Sequence, residues 1–165
     1  MDLFQLILLT ATLLCSLVAG FLFAFAFIVM PGTGTLSDHD FLQAFKVIDR
    51  VIQNNQPVFI FVWAGSVLLM AVAGIMSFWW LEGIPRYLVF GATLVYFLGV
   101  QLPTGTVNVP LNNQLQAQEL GSMSAAELQQ ARQDFEPRWV RWNTIRTWFA
   151  ILVSLILMLV WGKVT

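Results

Sequence analysis

Charged side chains fall in only a few places along this chain, and the gaps between them decide its class. Residues 3–30, 58–81, 87–118 and 147–162 carry no Asp, Glu, Lys or Arg. A helix needs about 20 apolar residues to cross about 30 Å of hydrocarbon. Four such helices fit, near residues 4–30, 58–81, 86–102 and 143–162. The expected fold is all-α, an integral membrane four-helix bundle with amphipathic helices in its two long loops.

The polar intervals predict the connections. The first span carries Gly20 and Ala24 at a spacing that lets a neighbouring helix approach closely. It ends in Met30-Pro-Gly-Thr-Gly34, where Pro31, Gly32 and Gly34 predict a stop and a turn. Ser37 with Asp40 reads as a capping box. The helix after it places Phe41, Phe45, Ile48 and Ile52 on one face, with Lys46, Asp49, Arg50 and Gln53 on or beside the other. That pattern suits a helix lying at the membrane surface or closing the end of the bundle. Glu82–Arg86 is short, so the second and third spans form an antiparallel hairpin. Pro103-Thr-Gly-Thr-Val-Asn-Val-Pro-Leu-Asn-Asn113 predicts extended or turn structure. Ser124 with Glu127 opens a further helix to about Phe135, and Pro137 then starts the last one.

Composition narrows the class. Of the 165 residues 58% are hydrophobic and 10% charged, against about 25% charged in soluble domains. One domain is the economical reading. A net charge of -1 excludes nucleic acid as a partner, since that calls for a basic patch; the bilayer is the expected partner. Cys15 is the only cysteine, which excludes an intrachain disulfide framework and a cysteine metal cluster. The first apolar run follows Asp2 with no Lys or Arg and exceeds the length of a cleaved signal, so it is expected to stay in the mature chain. Lys46, Arg50, Arg132, Arg138 and Arg141 sit on the long-loop side, which places those loops in the cytoplasm of a multi-pass cell-membrane protein.

Candidate chemistry gathers where the last span begins. Within Arg138-Trp-Val-Arg-Trp-Asn-Thr-Ile-Arg146, the residues Trp139, Trp142, Asn143 and Arg146 share one helical face. Arg138 and Arg141 lie off that face and suit the headgroups. Arg146 lies inside the apolar segment, where an arginine costs about 2.5–3.5 kcal/mol at the centre of a span. Asn143 and the asparagines of the preceding loop can reach the same end of the bundle, together with Asp49. The expectation is a pocket with apolar walls and a few polar groups. A metal site is not expected: His39 is the only histidine, between Asp38 and Asp40 in a capping region. A serine-nucleophile elbow is likewise absent from the sequence.

Three motifs in order, Gly20-Phe-Leu-Phe-Ala-Phe with Val29-Met-Pro-Gly32, then Asn108-Val-Pro-Leu-Asn-Asn113, then Trp139-x-x-Trp-Asn-x-x-Arg146, resemble the anthrone-oxygenase-like membrane family. Many of its members are known only as a domain of unknown function. The resemblance implies a four-span bundle, and for some members an oxidoreductase activity that turns anthrones into anthraquinones in polyketide pathways. An anthrone carries an acidic carbon–hydrogen bond, and its carbanion can react with molecular oxygen without a protein-bound metal or other cofactor. Such a site needs a base, donors for the developing enolate oxygen, and an aromatic pocket. The resemblance then assigns Asn143, Arg146 and Asn108 to the chemistry, and Trp139, Trp142, Asn112 and Asn113 to binding a hydrophobic substrate. Asp49 and His39 are acid–base groups outside the motifs.

A second class stays open, a non-catalytic membrane module that binds a lipid or quinone-like ligand or a partner protein. A polar cavity at the long-loop end favours the enzyme; a groove open to lipid, with Asn143 and Arg146 used only in packing, favours the module.

Overall fold

Asp2 starts the first helix by a reciprocal cap. Its carboxylate accepts the Gln5 backbone N–H at 2.8 Å, and the Gln5 side chain accepts the Asp2 N–H at 2.9 Å. From there the computed structural model, which describes residues 1–164, is helical almost throughout. α1 is Leu3–Thr33, α3 is Pro57–Trp80 and α4 is Gly83–Gln116. α2 is Asp38–Gln53 and α5 is Ala125–Val164. Four of them, all but α2, are long and apolar enough to cross a membrane. Around the bundle α1 packs on α3 and α5, and α4 packs on the same two. Each span thus neighbours two others.

The hairpin end is closed by aliphatic packing. Leu8, Ala11, Met70, Ala73, Val89, Val153 and Leu157 are fully buried in one cluster. With no water to expel between helices in lipid, the contact rests on close van der Waals approach. Gly74 and Gly99 permit it, since a Cβ on either would come within 2.6 Å of Thr93 or of Phe149. Gly20 has open space instead, so the close approach expected there is not made at that residue. Between α3 and α4, Ser66 and Tyr96 share a hydrogen bond of 2.6 Å, and the Trp63 indole donates to Gln101 at 3.0 Å.

At the other end α2 closes over α5 and the tip of α4. Ser37 caps it by accepting the Asp40 N–H, but the Asp40 carboxylate takes the Ser37 hydroxyl at 2.8 Å rather than completing a reciprocal box. That bond, with His39 beside it, holds the Asp40 carboxyl below its ordinary range. Arg132 of α5 fixes the link before α2, donating to the carbonyls of Gly34 (2.7 Å) and Leu36 (3.0 Å) and to Asp38 (3.1 Å). Phe41, Phe45, Phe135 and Trp139 form an aromatic cluster beneath.

Met30–Gly34 ends the first helix as expected, with Thr33 its last residue, Gly34 its C-cap and a turn after it, three residues past the expected end of the span. Two expectations need correction. Pro103–Asn113 is neither extended nor a turn, because α4 runs unbroken to Gln116. Pro137 does not start a new helix, so the second long loop holds no separate amphipathic helix and Ser124 caps the single helix α5. The prolines at 31, 103 and 110 have a common physical solution. Each follows two residues after a π-helical turn, at Phe25–Val29, Tyr96–Gln101 and Thr104–Asn108. A proline lacks its N–H and crowds the carbonyl four residues back. One extra residue in the turn relieves that crowding while the chain stays hydrogen-bonded.

Candidate functional site

A cavity opens beside the π turns Phe25–Val29 and Thr104–Asn108, with Phe25, Thr104 and Asn108 in its lining. It measures about 280 Å³ and lies between α1, α2, α3, α4 and α5. Phe21, Phe25, Phe45, Phe59, Trp63 and Trp139 are the aromatic residues of its walls. The rings meet edge to face, Phe45 on Trp139 at 5.1 Å and Phe21 on Phe59 at 5.2 Å, a favoured aromatic geometry. An adjoining apolar groove of about 430 Å³ between α2 and α3 shares Phe21, Ile52 and Phe59 with the cavity.

Polar groups enter this aromatic box from three helices. On α5, Arg146 is 4% exposed and forms no ion pair among the described residues. Its terminal nitrogens donate to the Thr104 hydroxyl at 2.8 Å and the Asn143 side-chain oxygen at 2.9 Å. Thr104 can accept because its own hydrogen goes to the Val100 carbonyl at 2.6 Å. Asn143 is anchored in turn, donating to the Leu22 carbonyl at 3.1 Å just before the π turn of α1. The guanidinium is therefore held from two sides. Its Nε has no hydrogen-bond partner among the described residues, although it is buried.

On α4, Asn108, Asn112 and Asn113 line the cavity. Asn108 donates to the Trp139 carbonyl at 3.2 Å, and its side-chain oxygen is buried without a hydrogen-bond partner among the described residues. Asn112 accepts the Trp139 indole N–H and donates to Asp49, both at 2.7 Å. Asn113 accepts from Gln53 at 3.3 Å. On α2, Asp49 is 3% exposed and also lines the cavity. Its carboxylate accepts from Asn112 and Gln53 at 2.7 Å each and from Gln116 at 2.9 Å. It too forms no ion pair among the described residues. Lys46, one turn away, donates its ammonium to the Gln118 carbonyl.

The structure thus brings six of the seven sequence candidates to one cavity: Asn108, Asn112, Asn113, Trp139, Asn143 and Arg146. Trp142 stands apart, half-buried on α5 and outside the cavity lining. His39 is exposed beside Asp40 and also lies outside it. Asp49, Gln53 and Thr104 are the lining polar groups that the motifs left out. The polar face of α2 is turned inward at Lys46 and Asp49, both buried. The signal was a second polar stripe: Asn108, Asn112 and Gln116 recur every four residues, so on a helix they share a face. No group of three His, Cys, Asp or Glu side chains converges among the described residues.

The family model for anthrone oxygenase matches residues 45–156, more than half of the chain. This chain belongs to the anthrone oxygenase family. The match takes in every polar residue of the cavity, from Asp49 on α2 to Arg146 on α5. It begins after α1, so the Phe-rich and Met-Pro-Gly motifs of the first span, part of the resemblance read from sequence, lie outside it. No curated protein and no solved structure matches the chain.

Proposed function

We propose that this protein is a membrane oxidoreductase that uses molecular oxygen to oxidise a hydrophobic, anthrone-like aromatic compound. One observation carries the reading: a buried, unpaired guanidinium with a free Nε lines an aromatic cavity in a member of this family. The flat apolar walls suit a fused-ring substrate. A cation among them suits an oxygen that gains negative charge during the reaction.

The overall change converts a ring methylene and dioxygen into a ring carbonyl and water, so no external reductant enters. Arg146 stabilises the enolate oxygen. Asn143 is a positioning residue, because both ends of its amide are engaged by Leu22 and Arg146. Asn108 offers its unpartnered oxygen to a substrate hydroxyl. Trp139 supplies a stacking wall, and Asn112 and Asn113 hold the rim of the cavity.

The groove shared through Phe21, Ile52 and Phe59 supports a second reading, a module that binds a lipid or quinone-like ligand without turnover. One experiment separates the two. Purified protein in detergent is given a simple anthrone, and oxygen uptake and anthraquinone formation are followed against the spontaneous rate. The enzyme reading expects acceleration, lowered in a folded Arg146→Met variant by about 10²–10³. Ligand binding by the folded parent without acceleration favours the module.

A further inference from the structure

Asp49 and Arg146 are two buried, opposite charges in the wall of one cavity, and neither is neutralised by an ion-pair partner among the described residues. Removing an isolated charge from water costs several kcal/mol, so buried charges are ordinarily paired. Among the described residues Arg146 bonds to the neutral groups of Thr104 and Asn143, and Asp49 to neutral amides. The three amides all donate. An ionised carboxylate offers about four acceptor positions, so about one stays open. The amides of Asn112, Gln53 and Gln116 also fix the plane of the carboxylate, as a base that acts at one point requires.

The two charges lie at different depths. Asp49 is joined through Asn112 to the indole of Trp139, and that indole stacks on Phe135 one turn nearer the start of α5, at 6.3 Å and 29°. Arg146 is two turns further along α5, about 10 Å on the helix axis. A molecule lying in the cavity therefore presents one end to a carboxylate and the other to a guanidinium.

We infer that Asp49 is the general base of this site, taking the proton from the ring methylene of the anthrone-like ketone. The inference rests on the oxidase reading above. Asp49 takes a methylene proton, the carbon–hydrogen bond breaks, and its electron pair spreads through the ring to the carbonyl oxygen at Arg146. The carbanion reduces dioxygen and forms a carbon–oxygen bond, leaving a peroxide anion that takes the proton back from Asp49. The regenerated carboxylate removes the second proton from the same carbon. Electrons move into the new carbonyl, the oxygen–oxygen bond breaks, and the departing hydroxide leaves as water with that proton. The carbon loses four electrons and dioxygen gains four; one oxygen atom ends in the carbonyl and one in water.

The test is proton exchange without oxygen. Protein and a simple anthrone are placed in anaerobic D2O, and deuterium entering the methylene is followed by NMR, with binding followed by quenching of tryptophan fluorescence. The parent is expected to accelerate exchange above the spontaneous rate. Asp49→Asn should bind the ketone yet lose the acceleration by about 100-fold or more, and Asp49→Glu should restore part of it. Exchange and oxygen uptake at parental rates in folded Asp49→Asn overturn Asp49 as base and leave the oxidase reading standing. Loss of binding in both variants makes Asp49 a strut for α4 and overturns the inference as well. If Asp49→Asn does not fold, the parent decides: oxygen uptake without accelerated exchange removes the base, and neither activity removes the oxidase reading too.

Discussion

The two halves of α5 are packed on different terms. From Ala150 onward, Ala150, Val153, Leu157 and Val160 are fully buried along a closed apolar seam, and Gly99 of α4 lies tight against Phe149 at its head. From Trp139 to Arg146 the same helix faces aromatic rings that leave about 280 Å³ between them, with polar groups reaching in. The backbone accounts for part of the difference. Beside the open half α1 and α4 widen into the π turns Phe25–Val29 and Thr104–Asn108, next to Pro31 and Pro110, whereas the α4 turn Tyr96–Gln101 belongs to the head of the closed seam, where Gly99 meets Phe149. Irregular helix in a membrane is tolerated where it is buried in protein or lines a cavity. A site is built where regular packing is given up.

Substitutions can erase this contrast from either side. The largest expected effect is Gly99→Leu, which forces a side chain into Phe149 at the head of the seam. Overpacking there should cost about 3 kcal/mol, read as a lower unfolding midpoint in detergent. In the open half, Trp139→Phe keeps a ring but removes the N–H that Asn112 accepts. It should cost about 1 kcal/mol and weaken ligand binding measured by titration. Trp142→Phe is the smallest, since that ring is outside the cavity; stability and binding should both stay near those of the parent. An equal loss of binding in the two tryptophan variants would break the contrast between them.

The gaps between charges were enough to read the four spans, because charge is so costly in hydrocarbon that its absence is a strong signal. The path of α4 was not legible. Pro103, Gly105 and Pro110 are loop formers in water, but in this bundle the backbone stays helical because its polar groups need partners inside the chain. The bond from the Val109 N–H to the Thr104 carbonyl spans five residues, and no local propensity announces it. Misreading that segment hid the stripe of Asn108, Asn112 and Gln116, and with it the partners that draw Asp49 inward. Trp142 failed for a simpler reason. It sits about 60° around the helix from Trp139, at the edge of the arc that Asn143 and Arg146 define. Spacing groups residues on a face but does not say where the face ends.

The most direct measurement compares two polar residues on the same helix. Asn143→Ala removes one of the two anchors of Arg146 in the open half, while Ser154→Ala removes a hydroxyl in the closed half that donates to the Ala150 carbonyl of its own helix. Anthrone-dependent oxygen uptake, corrected for the spontaneous rate and measured on folded protein, should fall at least tenfold, the effect of about 1.4 kcal/mol on the barrier, in the first variant. It should stay near the parental value in the second. Equal rates in the two variants would contradict a reaction centred on the polar cavity.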